Sequence, residues 1–358
     1  MTTIRDVAKL AGVSLGTVSN VLNELPTVSV ENRERVEQAI AQLGYRRNQA
    51  ASQLRSNRSN AIGLVIPDIT NPFYPEVARG VDDAARRAQY NVFLCNKDRS
   101  IKKEEDAIEA LLSKNVDGIL LFKPRISQKR IDAVAEQCAL VLLDTNPALV
   151  SCDTVNVEDY QGMERAVREV AARGHRRIAF ISGLQDSFSS ARRLEAYQET
   201  LRQLGLPDVP EYVCQGDFTA RSGHESIKTL MALPQPPTAV MTANDMMALG
   251  AISGAYELGI RVPQELSVVG YDDVQNVQWS FPRLTTIWHP KYEMGESAVR
   301  LLIERIEARR RHEDLARRNL VLETRMKLRD TLAQPGSGKR RKDEWTPSGL
   351  ETTTAATK

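Results

Sequence analysis

Several apolar runs in this sequence stop at the same kind of residue. Asp68 closes "AIGLVIPD", Asp144 closes "ALVLLD", Asn244 and Asp245 close "TAVMTAND", and Asp272 and Asp273 close "LSVVGYDD". One carboxylate in such a place is often a helix cap, but the same chemistry at several run ends describes a pocket that hydrogen-bonds a ligand. Groups that would break bonds are missing. There is no phosphate-binding loop, GxGxxG, GxSxG or HExxH. His175, His224, His289 and His312 lack metal-ligand spacing, with His175 in "ARGHRRIAF" reading as structural or surface. Cys95, Cys138, Cys152 and Cys214 form no CxxC pair and read as buried free thiols. Binding without catalysis, cofactor or metal is the expectation.

A second group of functional side chains lies near the N-terminus. In "TIRDVAKLAGVSLGTVSNVLN", Ser14, Gly16, Thr17, Ser19 and Asn20 are small or polar and, with Leu15, are left on the outside, a set suited to phosphates and base edges in a DNA major groove. Helices must present them. Thr3 can cap a first helix with Asp6 three residues on, and Ile4, Val7, Ala8 and Ala11 recur at helical spacing. Gly12 ends that helix, and Ser14 can cap a second whose Val18, Val21 and Leu22 face inward. Two short helices joined by a glycine turn are a helix-turn-helix. A third helix, from about Val30 to Leu43, buries Val36, Ala39, Ile40 and Leu43, and Gly44 closes it.

From Ala61 the pattern becomes short apolar runs alternating with amphipathic stretches of helical length, which means α/β structure with parallel sheets covered by helices on both faces. Ligands of such folds sit at the carboxyl ends of the strands, where the acids above are found. Between the two regions, "NQAASQLRSNRSN" (48–60) contains neither Gly nor Pro to break a helix, yet is too short and polar to be a stable one alone. It is expected to be disordered or frayed in the free protein and helical on DNA.

Composition sets the outer bounds. The chain has 358 residues, 42% of them hydrophobic and 26% charged, enough for two or three packed domains. No apolar run approaches the length of a membrane span, and "MTTIRDVAKL" lacks the apolar core of a signal peptide, so a cytoplasmic protein is expected. The net charge of +2 is concentrated at the front: residues 1–58 hold eight Lys or Arg against five acids. That asymmetry suits nucleic acid. Residues 331–358 are rich in Gly, Ser, Thr and Pro and are expected to be a disordered tail. No leucine heptads follow residue 330, which argues against a coiled-coil tetramer.

The segments "TIRDVAKLAGVSLGTVSNVLN" and "RERVEQAIAQLGY" resemble the DNA-binding headpiece of the LacI/GalR family of bacterial transcription regulators. The resemblance continues to about residue 330 through "PDITNPFY", "RRLEAY", "QGDF", "TANDMMALGA", "VVGYDD" and "RLTTI". It implies a headpiece over 1–47, a hinge helix over 48–60, and a two-lobed periplasmic-binding-protein type I domain over 61–330. Lobe one would comprise 61–158 and 290–318, and lobe two 159–289 and 319–330. Leu15, Gly16 and Asn20 would read bases, while Ser14, Thr17, Ser19 and Tyr45 would contact the DNA backbone. Many members have Arg where this chain has Asn20, and because Arg favours guanine and Asn adenine, the family's operator sequences do not transfer.

The linker resembles the family's hinge helix, commonly similar to "RPNALARSLR". It keeps Asn48, Ala51, Leu54 and Arg55, but has Arg47 and Ser52 where Pro and Arg are usual. Paired hinge helices of a homodimer would enter the minor groove, and Leu54 would wedge into the central base step. In the large domain the resemblance places Phe73, Tyr74 and Asp144 on one side of an effector cleft, with Arg193, Phe218, Asn244 and Asp272 on the other. Such donors, acceptors and aromatic faces suit a sugar, sugar derivative or nucleoside. The implied function is a homodimeric, effector-controlled regulator, in this family most often a repressor, acting on an approximately palindromic double-stranded operator. Whether the effector is inducer or co-repressor stays open. The alternative, a solute-binding protein without a regulatory role, would require an export signal and leaves the headpiece unexplained.

Overall fold

The computed structural model describes residues 2–22, 25–45 and 59–336. The expected linker contacts Asn48, Ala51, Leu54 and Arg55 lie outside the described residues. So does the tail beyond Gly336. The chain divides into two compact units, residues 1–59 and 60–358.

The first unit contains α1 (Ile4–Ala11), α2 (Leu15–Leu22) and α3 (Val30–Leu43). Local chemistry fixes each end. The Asp6 carboxylate accepts from the Thr3 N–H at 2.8 Å and from its hydroxyl at 2.7 Å. Gly12, at φ 65°, makes the left-handed turn that stops α1, and the Ser14 hydroxyl accepts from the Thr17 N–H at 3.1 Å to start α2. Such caps contribute about 1 kcal/mol each. Val7, Ala8, Ala11, Val18, Val21, Val36 and Ala39 form the core, with Leu22, Ile40, Leu43 and Tyr45 packed around it.

The second unit carries two six-stranded sheets. The first is built from β1 (Ala61–Ile66), β2 (Asn91–Asn96), β3 (Gly118–Phe122), β4 (Ala139–Leu143), β5 (Asp153–Val157) and β11 (Asn319–Leu322), in the order β11-β5-β4-β3-β1-β2. All its pairings are parallel. The second contains β6 (Ile178–Ser182), β7 (Val213–Gln215), β8 (Ala239–Thr242), β9 (Ser267–Asp272), β10 (Thr285–Trp288) and β12 (Arg325–Lys327), in the order β12-β10-β9-β8-β6-β7. Only β12 runs antiparallel, against β10. β1, β3, β4, β6 and β9 are buried along their whole length, as parallel strands covered on both faces must be. Among the described residues no helix is long and apolar enough to cross a membrane.

Helices α4 (Phe73–Arg87), α5 (Ile101–Ser113) and α6 (Gln128–Gln137) follow strands of the first sheet. Helices α7 (Asp159–Ala172), α8 (Phe188–Gln203), α9 (Ala220–Met231) and α10 (Asp245–Glu257) belong with the second, and α11 (Lys291–Arg311) returns to pack on α4. The chain therefore crosses between lobes three times. The last crossing corrects the expected boundary at residue 318. Strand β11 pairs in parallel with β5 in the first lobe, where Asn319 Oδ1 accepts from Thr154 Oγ1 at 2.7 Å and Asn156 Nδ2 at 3.2 Å. Only from Arg325 does the chain join the second sheet. A second correction concerns the start of the tail. Thr331 and Leu332 are buried, and the Thr331 hydroxyl donates to Val268 O at 2.6 Å and accepts from the Thr285 N–H at 2.8 Å. His175 is also structural: its ring bonds Thr238 Oγ1 at 2.9 Å and Ala333 O at 2.8 Å.

Candidate functional site

The carboxyl ends of both sheets face one another across a cavity of about 870 Å³, its open mouth included. From the first lobe come Phe73 and Tyr74 at the start of α4, Lys123 after β3 and Asp144 after β4. From the second come Arg193 in α8, Phe218 after β7, Asn244 after β8 and Asp272 at the end of β9. All seven residues expected in the effector cleft thus line one cavity. The other acids at run ends are placed differently. Asp68 caps its own turn through Thr70, Asp245 is buried against the Val274 N–H and Thr286 Oγ1, and Asp273 pairs with Arg329 at 2.7 Å.

On the first wall, Phe73 and Tyr74 meet edge-to-face at 5.1 Å, and Tyr74 packs on Phe122 at 5.5 Å. Burial pushes the Tyr74 hydroxyl up to about 12, keeping it a neutral donor. Asp144 Oδ2 pairs with the Lys123 ammonium at 2.8 Å and accepts from Ser189 Oγ at 2.9 Å, while Oδ1 accepts from the Ser189 N–H at 3.2 Å. Burial opposes ionisation of Asp144, but Lys123, Arg193 and Ser189 outweigh it and hold the carboxyl below its usual range.

The second wall has the reverse balance. Arg193 is buried, its Nε donating to Asp159 Oδ1 at 2.8 Å, its Nη1 donating to Ala243 O and standing 3.8 Å from Asp272 Oδ1. Its guanidinium lies 3.5 Å from the centre of the Tyr271 ring. Adjacent Arg192 instead pairs with Glu195 and lies over Tyr160. Burial pushes both Asp159 and Asp272 up to about 6, against the pull of Arg193 they share. Asn244 has both polar ends engaged: Nδ2 donates to Phe218 O at 3.0 Å and Oδ1 accepts from the Met247 N–H at 3.0 Å, capping α10. It therefore fixes Phe218, whose φ of 68° is strained for a residue with a Cβ. A Cβ at Gly183 would lie 2.1 Å from Phe218 Cζ, so glycine is required there for the ring to fit.

Sequence reasoning missed the residues that join the walls. Lys123 reaches across to Ser187 and Ser189 hydroxyls at 3.2 Å each and holds its ammonium 4.7 Å from the Phe218 ring centre. Arg99 Nη1 donates to Asp217 O at 2.7 Å, and Arg125 pairs with Asp186 at 2.8 Å. Lys123 directly follows "VDGILLF", so the rule that singled out Asp144 would also have found it. Ser187 and Ser189 give no comparable signal, since one caps α8 and the other lies in its first turn.

In the first unit, Ser14, Leu15 and Gly16 are exposed and Thr17, Ser19 and Asn20 half-buried along α2. Ser14 Oγ and Thr17 Oγ1 share a 2.9 Å hydrogen bond. Tyr45 packs partly against the headpiece core.

A helix-turn-helix unit joined to a two-lobed α/β unit with a polar, aromatic-walled cleft defines a ligand-regulated DNA-binding protein. Comparison with known proteins agrees in both parts. Residues 3–48 match the model of bacterial regulatory proteins of the lacI family, and residues 167–332 match a periplasmic binding protein-like domain. The chain is similar to catabolite control protein A of Priestia megaterium, 36% identical over 302 residues that cover 84% of this chain and 91% of that one. It is also 36% identical to the ribose operon repressor of Escherichia coli over 308 residues, 86% of this chain and 93% of that one. Among solved structures, the Lac repressor dimer bound to operator and the anti-inducer ONPF superposes with a TM-score of 0.82 at 29% identity, covering 93% of this chain and 99% of that chain. The complex of the regulator CelR with cellobiose gives a TM-score of 0.69 at 31% identity over 92% and 100%. The chain belongs to the LacI family. It is a DNA-binding transcription regulator under small-molecule control and not an enzyme.

Proposed function

We propose that the effector is a sugar, sugar derivative or nucleoside held between the lobes by Phe73, Tyr74 and Asp144 on one side and by Arg193, Phe218, Asn244 and Asp272 on the other. The observation carrying this reading is the convergence of charged hydrogen-bonding groups and three aromatic faces on a single cleft. Ribose and cellobiose in the names of similar proteins support a sugar. Asn244 acts by holding Phe218 in place. Because three crossovers join the lobes, a ligand that changes their relation changes where the chain leaves β1 for the headpiece. That relation biases pairing of the linker helices in a cytoplasmic, nucleoid-associated homodimer. The coupling is about 1–3 kcal/mol, and its sign decides inducer or co-repressor.

Ser14, Leu15, Gly16, Thr17, Ser19, Asn20 and Tyr45 contact each operator half-site, joined by Asn48, Ala51, Leu54 and Arg55 of the linker. Two-fold symmetry of the dimer requires an approximately palindromic site. The dimer reading is supported by large apolar side chains at the surface: Phe93 and Leu94 on edge strand β2, and Tyr256, Trp279 and fully exposed Phe281 on the second lobe. A monomer in sedimentation at micromolar concentration would overturn it.

The effector class is tested by thermal shift against D-ribose, cellobiose, glucose 6-phosphate and adenosine. A ligand at 100 times its Kd stabilises by about 2.7 kcal/mol, a rise of several degrees. No shift with any of these probes at millimolar concentration would refute the proposed class.

A further inference from the structure

The loop that carries Lys123 and Arg125 towards the second lobe has no regular structure to hold it. It runs from Phe122 at the end of β3 to Ile126, includes Pro124, which has no N–H, and sets Lys123 at a φ of 44°, left-handed for a residue with a Cβ. Two buried charges supply what is missing. Lys97, directly after β2, and Glu104, in the first turn of α5, are 1% and 0% exposed. The Lys97 ammonium donates to Glu104 Oε2, Phe122 O and Lys123 O, each at 2.7 Å, which uses all three of its hydrogens. Glu104 Oε1 in turn accepts from the Arg125 N–H at 3.0 Å and, more weakly, from the Ile126 N–H at 3.5 Å.

A buried ion pair contributes little net stability over apolar side chains of the same volume, because taking both charges out of water offsets their attraction. Apolar side chains could not pair two carbonyls and two amides of one loop. What the pair adds is therefore position, and position matters because of what the loop presents. The Lys123 ammonium meets Asp144, Ser187 and Ser189, and Arg125 meets Asp186. Asp144 also accepts from the Ser189 N–H in the first turn of α8, at 3.2 Å. A continuous chain of contacts thus runs from Lys97 and Glu104 in the first lobe to the start of α8 in the second. Lys97 borders the cavity, but its ammonium has no hydrogen left for a ligand.

We propose that Lys97 and Glu104 are positioning residues for effector control: by fixing the loop 122–126 they hold Lys123 and Arg125 where these bridge the cleft, and so set how firmly the lobes are joined. They act through the loop and not on the ligand. The assignment rests on the relation of the lobes being what the effector changes.

The test is hydrogen–deuterium exchange of the full chain without ligand, resolved to single amides, for the parent, Lys97→Met and Glu104→Gln. Methionine has similar length and no donor, whereas glutamine keeps one oxygen for the loop amides. The Ser189 amide should exchange about tenfold faster in Lys97→Met and about threefold faster in Glu104→Gln, while Phe180, buried in β6, changes by less than about twofold. Equal acceleration at Ser189 and Phe180 would make the pair a general support of the fold and overturn the proposal, as would unchanged exchange at Ser189. Should Lys97→Met fail to fold, Glu104→Gln decides by the same comparison. With D-ribose, cellobiose or adenosine, whichever binds the parent, Lys97→Met should lose about tenfold in affinity, and equal affinity would overturn the link to the effector. Should no probe bind the parent, the effector class falls, while the exchange at Ser189 still decides whether the pair positions the loop.

Discussion

Asn20 and Asp272 are both polar residues of the proposed recognition surfaces, but their surroundings differ completely. Asn20 lies half-exposed on a helix anchored by a core of small side chains, and a change there disturbs little else. Asp272 is 5% exposed, near Arg193, which also serves Asp159, and its backbone carbonyl accepts from Lys291 at 2.7 Å. The DNA face can therefore be altered one residue at a time, whereas the cleft is a network in which each substitution unpairs a neighbour. Operator preference should drift more easily than effector preference.

The strongest way to break this comparison is Arg193→Met. It leaves Asp159 and Asp272 buried without their shared cation, and removing one partner of a buried pair costs about 3–5 kcal/mol. The second unit should lose roughly 10 °C of melting temperature together with its effector response, while headpiece resonances stay in place by NMR. An unchanged melting point would mean that the network is not a network. Leu54→Ala comes next. It should weaken specific operator binding at least tenfold by removing the proposed minor-groove wedge, with nonspecific DNA and effector binding unaltered. Equal operator affinity would remove the linker from recognition.

Asn20→Arg is milder and sharper. It should shift preference at one base pair of each half-site from adenine towards guanine, by about 1–3 kcal/mol, with no change in protein stability. A uniform loss across all sites would place Asn20 on phosphate alone.

What could be read in advance follows the same division. The ends of α1, α2 and α3 depend on neighbours three or four residues away, such as Thr3 with Asp6 and Ser14 with Thr17, and these were legible. Asp144 and Asp272 were legible because each closes an apolar run. Ser189 was not, because it reaches Asp144 only when two lobes meet, and a serine near a helix start looks the same whether or not it does so. Residues 319–322 were assigned to the wrong lobe because their place depends on pairing with Thr154 and Asn156, more than 160 positions earlier in the chain. Thr331 looked like the beginning of a polar tail for the same reason, since its bonds run to Val268 and Thr285. The masking effect in each case is tertiary, and no local pattern carries it.

The smallest effect separates the two walls of the cleft by pH. Asp144 lies below its usual range, so what it contributes is present at neutral pH and is lost only as pH falls below that range. Asp272 has the opposite sign. With its folded pKa raised to about 6 from 3.8, the ionised carboxyl is the unfavourable form, and stability should rise as pH falls through 6. Between pH 7.5 and 5 Asp272 alone thus gains about 1 kcal/mol, and Asp159, raised to about 6 as well, adds in the same direction, while the contribution of Asp144 is unchanged. His175 and His289, both held below their usual pKa by burial, work against this gain by taking up protons on unfolding, so the parent's profile alone is ambiguous. Asp272→Asn resolves it, because the histidine contribution cancels in the difference. Asp159 then has Arg193 to itself, and its own carboxyl should fall towards the ordinary range. The melting temperature of the parent should therefore gain a few degrees on the variant as pH is lowered from 7.5 to 5. Parallel profiles would show that the two walls carry the same electrostatic balance.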